Sequence, residues 1–391
     1  MNEWRAIRLN PRVLGLLVLL LVGLTALRFW EVTRQADAAE RNALRPQPDL
    51  LVDVTWLSGH LGDAALRIVD LRAPAEYQAG HIPGAVHFPA GSLFVERGGV
   101  AGRLPDLPVL EASIRQAGIG ADTIVVAYDS IGGLNAARLF FALDFAGQGK
   151  GRLLDGGWQE WSAAGLPVST EVPPVTPSAF KAAPQPALLA DFGWMKAHLD
   201  DAGTAILDAR SPEEYEGKAG RAQRLGHIPG AISLEWKESL APGSQRFRSP
   251  AELIEVLRAR GITPDKEVTP YCQSFARAAH SYFMLRWLGF PRVRGYDGSW
   301  SEWGNRADTP IDQGPPAAAP TGALEPAPAP QALQEGLTEA QVKRLLGEPQ
   351  QVEMQNPCWG KQSIWRYVAT PKGQGTLRLV FMDGALKQIG R

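Results

Sequence analysis

Three short strings in this 391-residue chain occur twice, in the same order, and no other feature narrows its fold so far. Asp70-Leu-Arg-Ala-Pro-Ala-Glu-Tyr77 returns as Asp208-Ala-Arg-Ser-Pro-Glu-Glu-Tyr215, and Gly80-His-Ile-Pro-Gly-Ala85 as Gly226-His-Ile-Pro-Gly-Ala231. Asp155-Gly-Gly-Trp-Gln-Glu-Trp161 returns as Asp297-Gly-Ser-Trp-Ser-Glu-Trp303. The offsets are 138, 146 and 142 residues, so the order is kept while the loops between change length. The chain therefore contains two copies of one domain.

Within each copy, short apolar runs alternate with longer helix-forming ones. Leu66 to Asp70 and Thr123 to Tyr128 suit buried parallel strands, whereas Ala136 to Phe145 and Ala276 to Leu288 suit crossover helices. The fold class is α/β with mostly parallel sheets, one copy over 48–170 and the other over 185–312. Val172 to Pro186 carries five prolines and reads as a linker, and a second Pro/Ala-rich linker covers 313–331. The remainder, 332–391, is predicted to be a small α+β domain. Thr338-Glu-Ala-Gln341 is a capping box opening a helix. Strand-like runs follow at Ser363 to Val368, Thr376 to Met382 and Ala385 to Ile389, with Asp383-Gly384 as a hairpin turn.

The N-terminus predicts a membrane helix over residues 1–31. Arg5, Arg8 and Arg12 precede an uncharged run from Val13 to Leu27. Fifteen helical residues rise only about 22 Å, but Arg28 can snorkel and Phe29 and Trp30 can sit at the interface. A retained anchor is expected rather than a cleaved signal peptide, because the small-x-small string Ala36-Asp-Ala38 lies too far beyond the apolar run. The arginine bias places the N-terminus in the cytoplasm and the folded domains outside, which for a single-pass protein of a bacterial inner membrane is the periplasm.

Tyr271-Cys-Gln-Ser-Phe-Ala-Arg-Ala-Ala-His280 holds one of the chain's two cysteines where a strand passes into a helix. In open parallel sheets ligands bind at such junctions. A free cysteine there reads either as a small buried hydrophobe or as a thiolate held for chemistry. A net charge of −1 gives no footprint for nucleic acid. No CxxC or histidine-rich cluster suggests a metal.

The repeated D-x-R-x-P-x-E-Y, G-H-I-P-G-A and G-G/S-W strings, with a cysteine loop entering a helix, resemble the tandem rhodanese sulfurtransferases over roughly residues 50–310. The resemblance implies that only the second copy is catalytic. Asp129 stands in the first where Cys272 stands in the second, so the first is expected to be silent and to wall the cleft. It implies sulfur transfer through a Cys272 persulfide, from thiosulfate or polysulfide to cyanide or a thiol, with no metal or organic cofactor. Gln273, Ser274, Phe275 and Ala276 would curl their amides around the sulfur, with Arg277 as the loop's cation. Four residues separate Cys272 from Arg277, one fewer than in the related cysteine phosphatases, a tighter loop better suited to sulfur than to phosphate.

Well-studied thiosulfate enzymes place a substrate-binding arginine where this chain has Glu214. Arg221 and Arg224, in the extra segment Gly217 to Leu225, are candidate substrate contacts in its stead. His81, His227, Asp70, Asp208, Arg72, Arg210, Trp158 and Trp300 are expected to be structural, because both copies keep them although one lacks the nucleophile. Cys358 is expected to be unreactive. The C-terminal unit resembles the SmpA/OmlA (BamE-type) envelope lipoprotein domain in Gly336 to Val342, Leu346-Gly-Glu-Pro349 and Trp365-Arg-Tyr367, which would give it an envelope protein partner. A non-catalytic envelope scaffold or sulfur carrier is the alternative function.

Overall fold

Uninterrupted Val, Ile and Leu runs are buried on both faces, and each copy lays them side by side as parallel strands. The computed structural model describes residues 44–316 with their side chains, and beyond them the backbone of four strands. The N-terminal apolar run, most of the second linker, the Thr338 capping box and Cys358 lie outside the described residues.

The first copy runs through β1 (Leu51–Val52), β2 (Leu66–Asp70), β3 (Val86–His87), a hairpin of β4 (Val95–Arg97) and β5 (Val100–Arg103), then β6 (Ile124–Tyr128) and β7 (Gly151–Leu154). All but the hairpin form one parallel sheet in the order β1-β7-β6-β2-β3. The second copy contributes β8 (Leu189–Ala190), β9 (Thr204–Asp208), β10 (Ile232–Ser233), β11 (Glu267–Tyr271) and β12 (Gly295–Tyr296). Here the sheet is split into β10-β9-β11 and β12-β8, with a lone bridge from Val268 to Val293 between the parts.

Proline causes the split. Val268 bonds to Arg292 and Arg294 on the β12 side, and Pro270, two residues on, faces the same side without an N–H to give. The first copy has Ala127 at this point, and its ladder with β7 continues to Leu153. β11 itself runs one residue past Pro270, to Tyr271, paired with Asp208.

The repeated strings build one buried network in each copy. Arg72 grips Asp70 and the Gly80 carbonyl, and Arg210 grips Asp208 and the Gly226 carbonyl. Tyr128 and Tyr271 each donate to that aspartate at 2.5 Å, and Trp158 and Trp300 lie over the arginines at 3.9 and 4.5 Å. His81 stacks on Tyr77 and His227 on Tyr215, each histidine also bonding its tyrosine's carbonyl. These groups tie strand, turn and helix together; none belongs to the cysteine loop.

The two copies share their core. Helices Leu134–Phe145 and Ala276–Trp287 pack on each other, Phe140 against Phe283 at 5.0 Å and Phe141 against Tyr282 at 4.9 Å, both edge to face. One hydrophobic cluster runs from Val69 through this helix pair to Val293. The proline-rich linker is a strap laid on the first copy: Phe180 is buried, and the amides of Ser178 and Ala183 bond to the carbonyls of Arg115 and Ala146.

The C-terminal unit, taken by itself, is an antiparallel sheet of β13 (Gln351–Gln355), β14 (Gln362–Thr370), β15 (Gly373–Met382) and β16 (Ala385–Gly390) in sequential order. Three strands were expected there. β13 was missed although Val352 and Met354 alternate with Gln351, Glu353 and Gln355. Met382 pairs with Ala385 across the two residues predicted to turn.

Candidate active site

Cys272 is the first residue past β11 and is 1% exposed. Its N–H donates to Ser299 Oγ at 3.3 Å, and its carbonyl accepts from Trp300 N at 2.9 Å. The next carbonyl, of Gln273, accepts from Ser301 N and from Ser301 Oγ at 2.7 Å. The turn after β12 therefore fixes the start of the loop from below. This is a role for the second G-S-W string that the packing of its tryptophan alone does not reveal.

The loop closes at Phe275, which caps the following helix in the left-handed region at φ 62°. A non-glycine residue there costs on the order of 1–2 kcal/mol. Burial of the ring offsets that cost, as it packs 4.6 Å from Phe141 and beneath Arg138 at 5.4 Å. Gly295 makes the room; a Cβ on it would meet the Phe275 ring at 2.3 Å. Ala276 then opens a 12-residue helix whose N-terminus points its unpaired amides at the loop.

Arg277 lies in the first turn, and its charge is already matched. Nη1 and Nη2 donate to the two oxygens of Glu214 at 2.5 and 3.0 Å, with both side chains largely buried. Burial works against the guanidinium charge. Hydrogen bonding to Glu214, the Cys272 side chain's charge and that of Glu214 outweigh it, and Arg277 titrates above its ordinary value. Burial likewise pushes the Glu214 carboxyl up, but the bond to Arg277 and its charge hold it below the usual carboxylate range.

Gln273 is buried, and its amide nitrogen donates to Ser301 Oγ at 3.2 Å. Ser301 Oγ gives its one proton to the Gln273 carbonyl, which fixes the amide's orientation and leaves Oε1 without a partner. Ser274 lies under the β4–β5 hairpin, where a Cβ on Gly102 would stand 2.4 Å from the Ser274 Cβ. The two arginines expected to contact substrate do not join this loop's bonds. Arg221 is exposed. Arg224 spends its guanidinium on the carbonyls of Trp303, Arg306 and Thr309, because the inserted segment folds back as a staple on that edge.

The first copy holds the same junction in another chemical state. Asp129 is fully buried, and its carboxylate accepts the amides of Ile131, Gly133, Asn135 and Ala136 at 2.7–3.1 Å. Burial raises its titration point although the four amides pull it down. This loop is one residue longer than the cysteine loop and caps its helix with Gly133, at φ 84°. It shows that amides at this junction converge on negative charge.

Each copy covers the other's loop. Asp297 accepts from Arg138 Nη1 and Leu104 N of the first copy, both at 2.8 Å. Asp155 accepts from Arg246 Nε and Phe247 N of the second, both at 2.9 Å. The aspartates that begin the two D-G-[GS]-W strings are thus reciprocal anchors between the copies. Gln245 bonds to Gly132 N and Ser130 O, plugging the Asp129 loop, whereas the corresponding Gly102 has no side chain to lay over Cys272.

The rhodanese-like domain model matches residues 53–164 and 191–306. Thiosulfate sulfurtransferases of Azotobacter vinelandii and Pseudomonas aeruginosa are 37% and 38% identical over 265 residues, covering 67% of this chain and 97% of each relative. Among solved structures, the anaerobic ergothioneine biosynthesis enzyme of Chlorobium limicola, in complex with trimethyl histidine, superposes with a TM-score of 0.64 at 27% identity. That match covers 70% of this chain and 72% of the other.

Proposed function

This chain belongs to the rhodanese-like family and is a sulfurtransferase, and from that premise we propose that Cys272 is the residue that carries the sulfur. The observation that carries this reading is a buried cysteine at the mouth of a buried helix, with Arg277 one turn away. The Cys272 thiolate attacks the outer sulfur of thiosulfate; the S–S bond breaks and sulfite leaves with the electron pair. The persulfide's outer sulfur then passes to cyanide or a thiolate, giving thiocyanate or a new persulfide and restoring Cys272. Amides of Gln273 to Arg277 steady the anionic sulfur, as those of the silent loop steady Asp129. Thiosulfate and polysulfide are the sulfane donors of this chemistry.

The test is mass spectrometry after thiosulfate treatment. A gain of one sulfur at Cys272, lost in Cys272→Ser together with thiocyanate formation, supports the assignment. Undiminished turnover in Cys272→Ser overturns it, and no adduct on folded, reduced protein favours the scaffold reading.

The flanking segments extend the proposal. The apolar run with its N-terminal arginines would anchor the chain in the inner membrane and put both copies in the periplasm, where burial of Cys272 shields the thiol from oxidation. The C-terminal unit, an SmpA/OmlA-like domain by its strings, would dock on an envelope protein. Protease added to spheroplasts should digest the C-terminal domains; their survival until lysis would place the catalytic copy in the cytoplasm.

A further inference from the structure

Glu214 is the residue of the site whose presence needs explaining. It sits at the third position of the Pro212–Tyr215 helix and closes a capping box with Ser211, whose N–H donates to Glu214 Oε2 at 3.3 Å. The first copy keeps the glutamate half of the box: Ala73 N donates to Glu76 Oε2 at 3.0 Å. There the remaining oxygen accepts only Ser130 Oγ, at 3.1 Å, because the cationic position of the loop is Asn135. The box accounts for a glutamate in both copies. The ion pair with Arg277 is what the second copy adds.

That pair takes one N–H from each Nη of the guanidinium and matches its charge. Gln273, Ser274, Phe275 and Ala276 bring no charge, and Arg210 is matched by Asp208. The approach to Cys272 therefore holds one cation and one carboxylate at hydrogen-bond range. A second negative charge on the donor meets no further unmatched cation in this set.

We propose that Glu214 sets the charge of the sulfur donor. It is a resident counter-ion of Arg277 that a dianion must displace or tolerate, so the site discriminates against dianionic donors and favours donors of one negative charge, such as organic thiosulfonates or hydropersulfides. The inference rests on the sulfurtransferase reading. The step is the same for every donor: the thiolate attacks the sulfane sulfur and the leaving group, sulfite from thiosulfate, a sulfinate from a thiosulfonate or a thiolate from a hydropersulfide, departs with the S–S electron pair.

The experiment compares kcat/KM for thiosulfate and benzenethiosulfonate in the wild-type chain and in Glu214→Gln, which keeps an acceptor for the Ser211 amide while removing the charge. The ratio of thiosulfate to thiosulfonate should rise at least about five-fold, the effect of one unit charge at about 4 Å even in bulk water, mainly through a lower KM for thiosulfate. Glu76→Gln, at the matching position of the first copy, should leave the ratio unchanged. If Glu214→Gln does not fold, Glu214→Ala carries the same expectation. A parallel change for both donors, or a falling ratio, overturns the proposal. The two readings separate cleanly: if neither donor loads Cys272 in the wild-type chain, the sulfurtransferase assignment fails; if both load it and the ratio does not move, only this inference fails.

Discussion

Asp129 and Cys272 stand at equivalent positions, and the amides that would meet a thiolate or persulfide in one loop hold a carboxyl group in the other. Removing the first carboxylate strands four amides at a buried helix mouth. Asp129→Ala should therefore cost about 2–4 kcal/mol of stability by chemical denaturation, while the sulfur gain at Cys272 in the folded protein persists. His280 gives a second residue-scale expectation. It is buried between the copies, bonded to the Gly132 carbonyl at 3.0 Å, and burial lowers its titration point to about 4. Protonation thus favours the unfolded chain. The His280 contribution is intact above about pH 6.5 and is lost progressively as pH falls toward 4. Denaturation midpoints measured from pH 7 to 4.5 should fall less steeply in His280→Gln. Cys272, Arg277 and the silent Asp129 were legible in the sequence because short strings frame them on both sides. The pairing of Arg277 with Glu214 was not, since 63 residues separate them and neither string announces the contact. Arg224 misled for a similar reason: a basic residue in an insertion near the site carries no mark of which carbonyls it will meet.

The decisive elements are two pieces that look incidental, the β4–β5 hairpin and the strand containing Pro270. The hairpin presents backbone to the cysteine loop at Gly102, whose φ of 88° and near contact with Ser274 admit no side chain. Gly102→Ala should displace the loop and reduce turnover by roughly 10–100-fold, with a smaller effect on the thermal midpoint. Equal turnover in that variant would show that the hairpin does not seat the loop. Strand and helix runs were readable from apolar periodicity, and the parallel sheets followed from them. The hairpin was not, because its strands are short and its pairing irregular. The split of the second sheet was written in Pro270, but its meaning depends on which neighbour that residue faces.

At the scale of the molecule, two similar domains behave as one body because each completes the other. The Arg138–Asp297 pair is buried on both sides, whereas Arg246 of the reciprocal pair is half exposed. Arg138→Met should cost about 3–5 kcal/mol, as removal of one partner from a buried pair does. Arg246→Met should cost about 1 kcal/mol or less. Unfolding of residues 44–316 should be a single transition, and a fragment of 185–312 should be poorly soluble or weakly active. Full activity of that fragment would refute the shared core. Duplication was plain from the repeats, but not the exchange of partners across it, because the two copies of each string read alike and only their neighbours differ.

The crossed aspartates also bear on how such a chain can change over generations. A freshly duplicated domain is a spare, free to decay. Once Arg138 answered Asp297 and Arg246 answered Asp155, neither half remained a spare. A lineage that lost the silent half would inherit a nucleophile with an orphaned acid beneath its loop. The first copy is thus held by its contacts alone, and a change at position 138 is felt at 297.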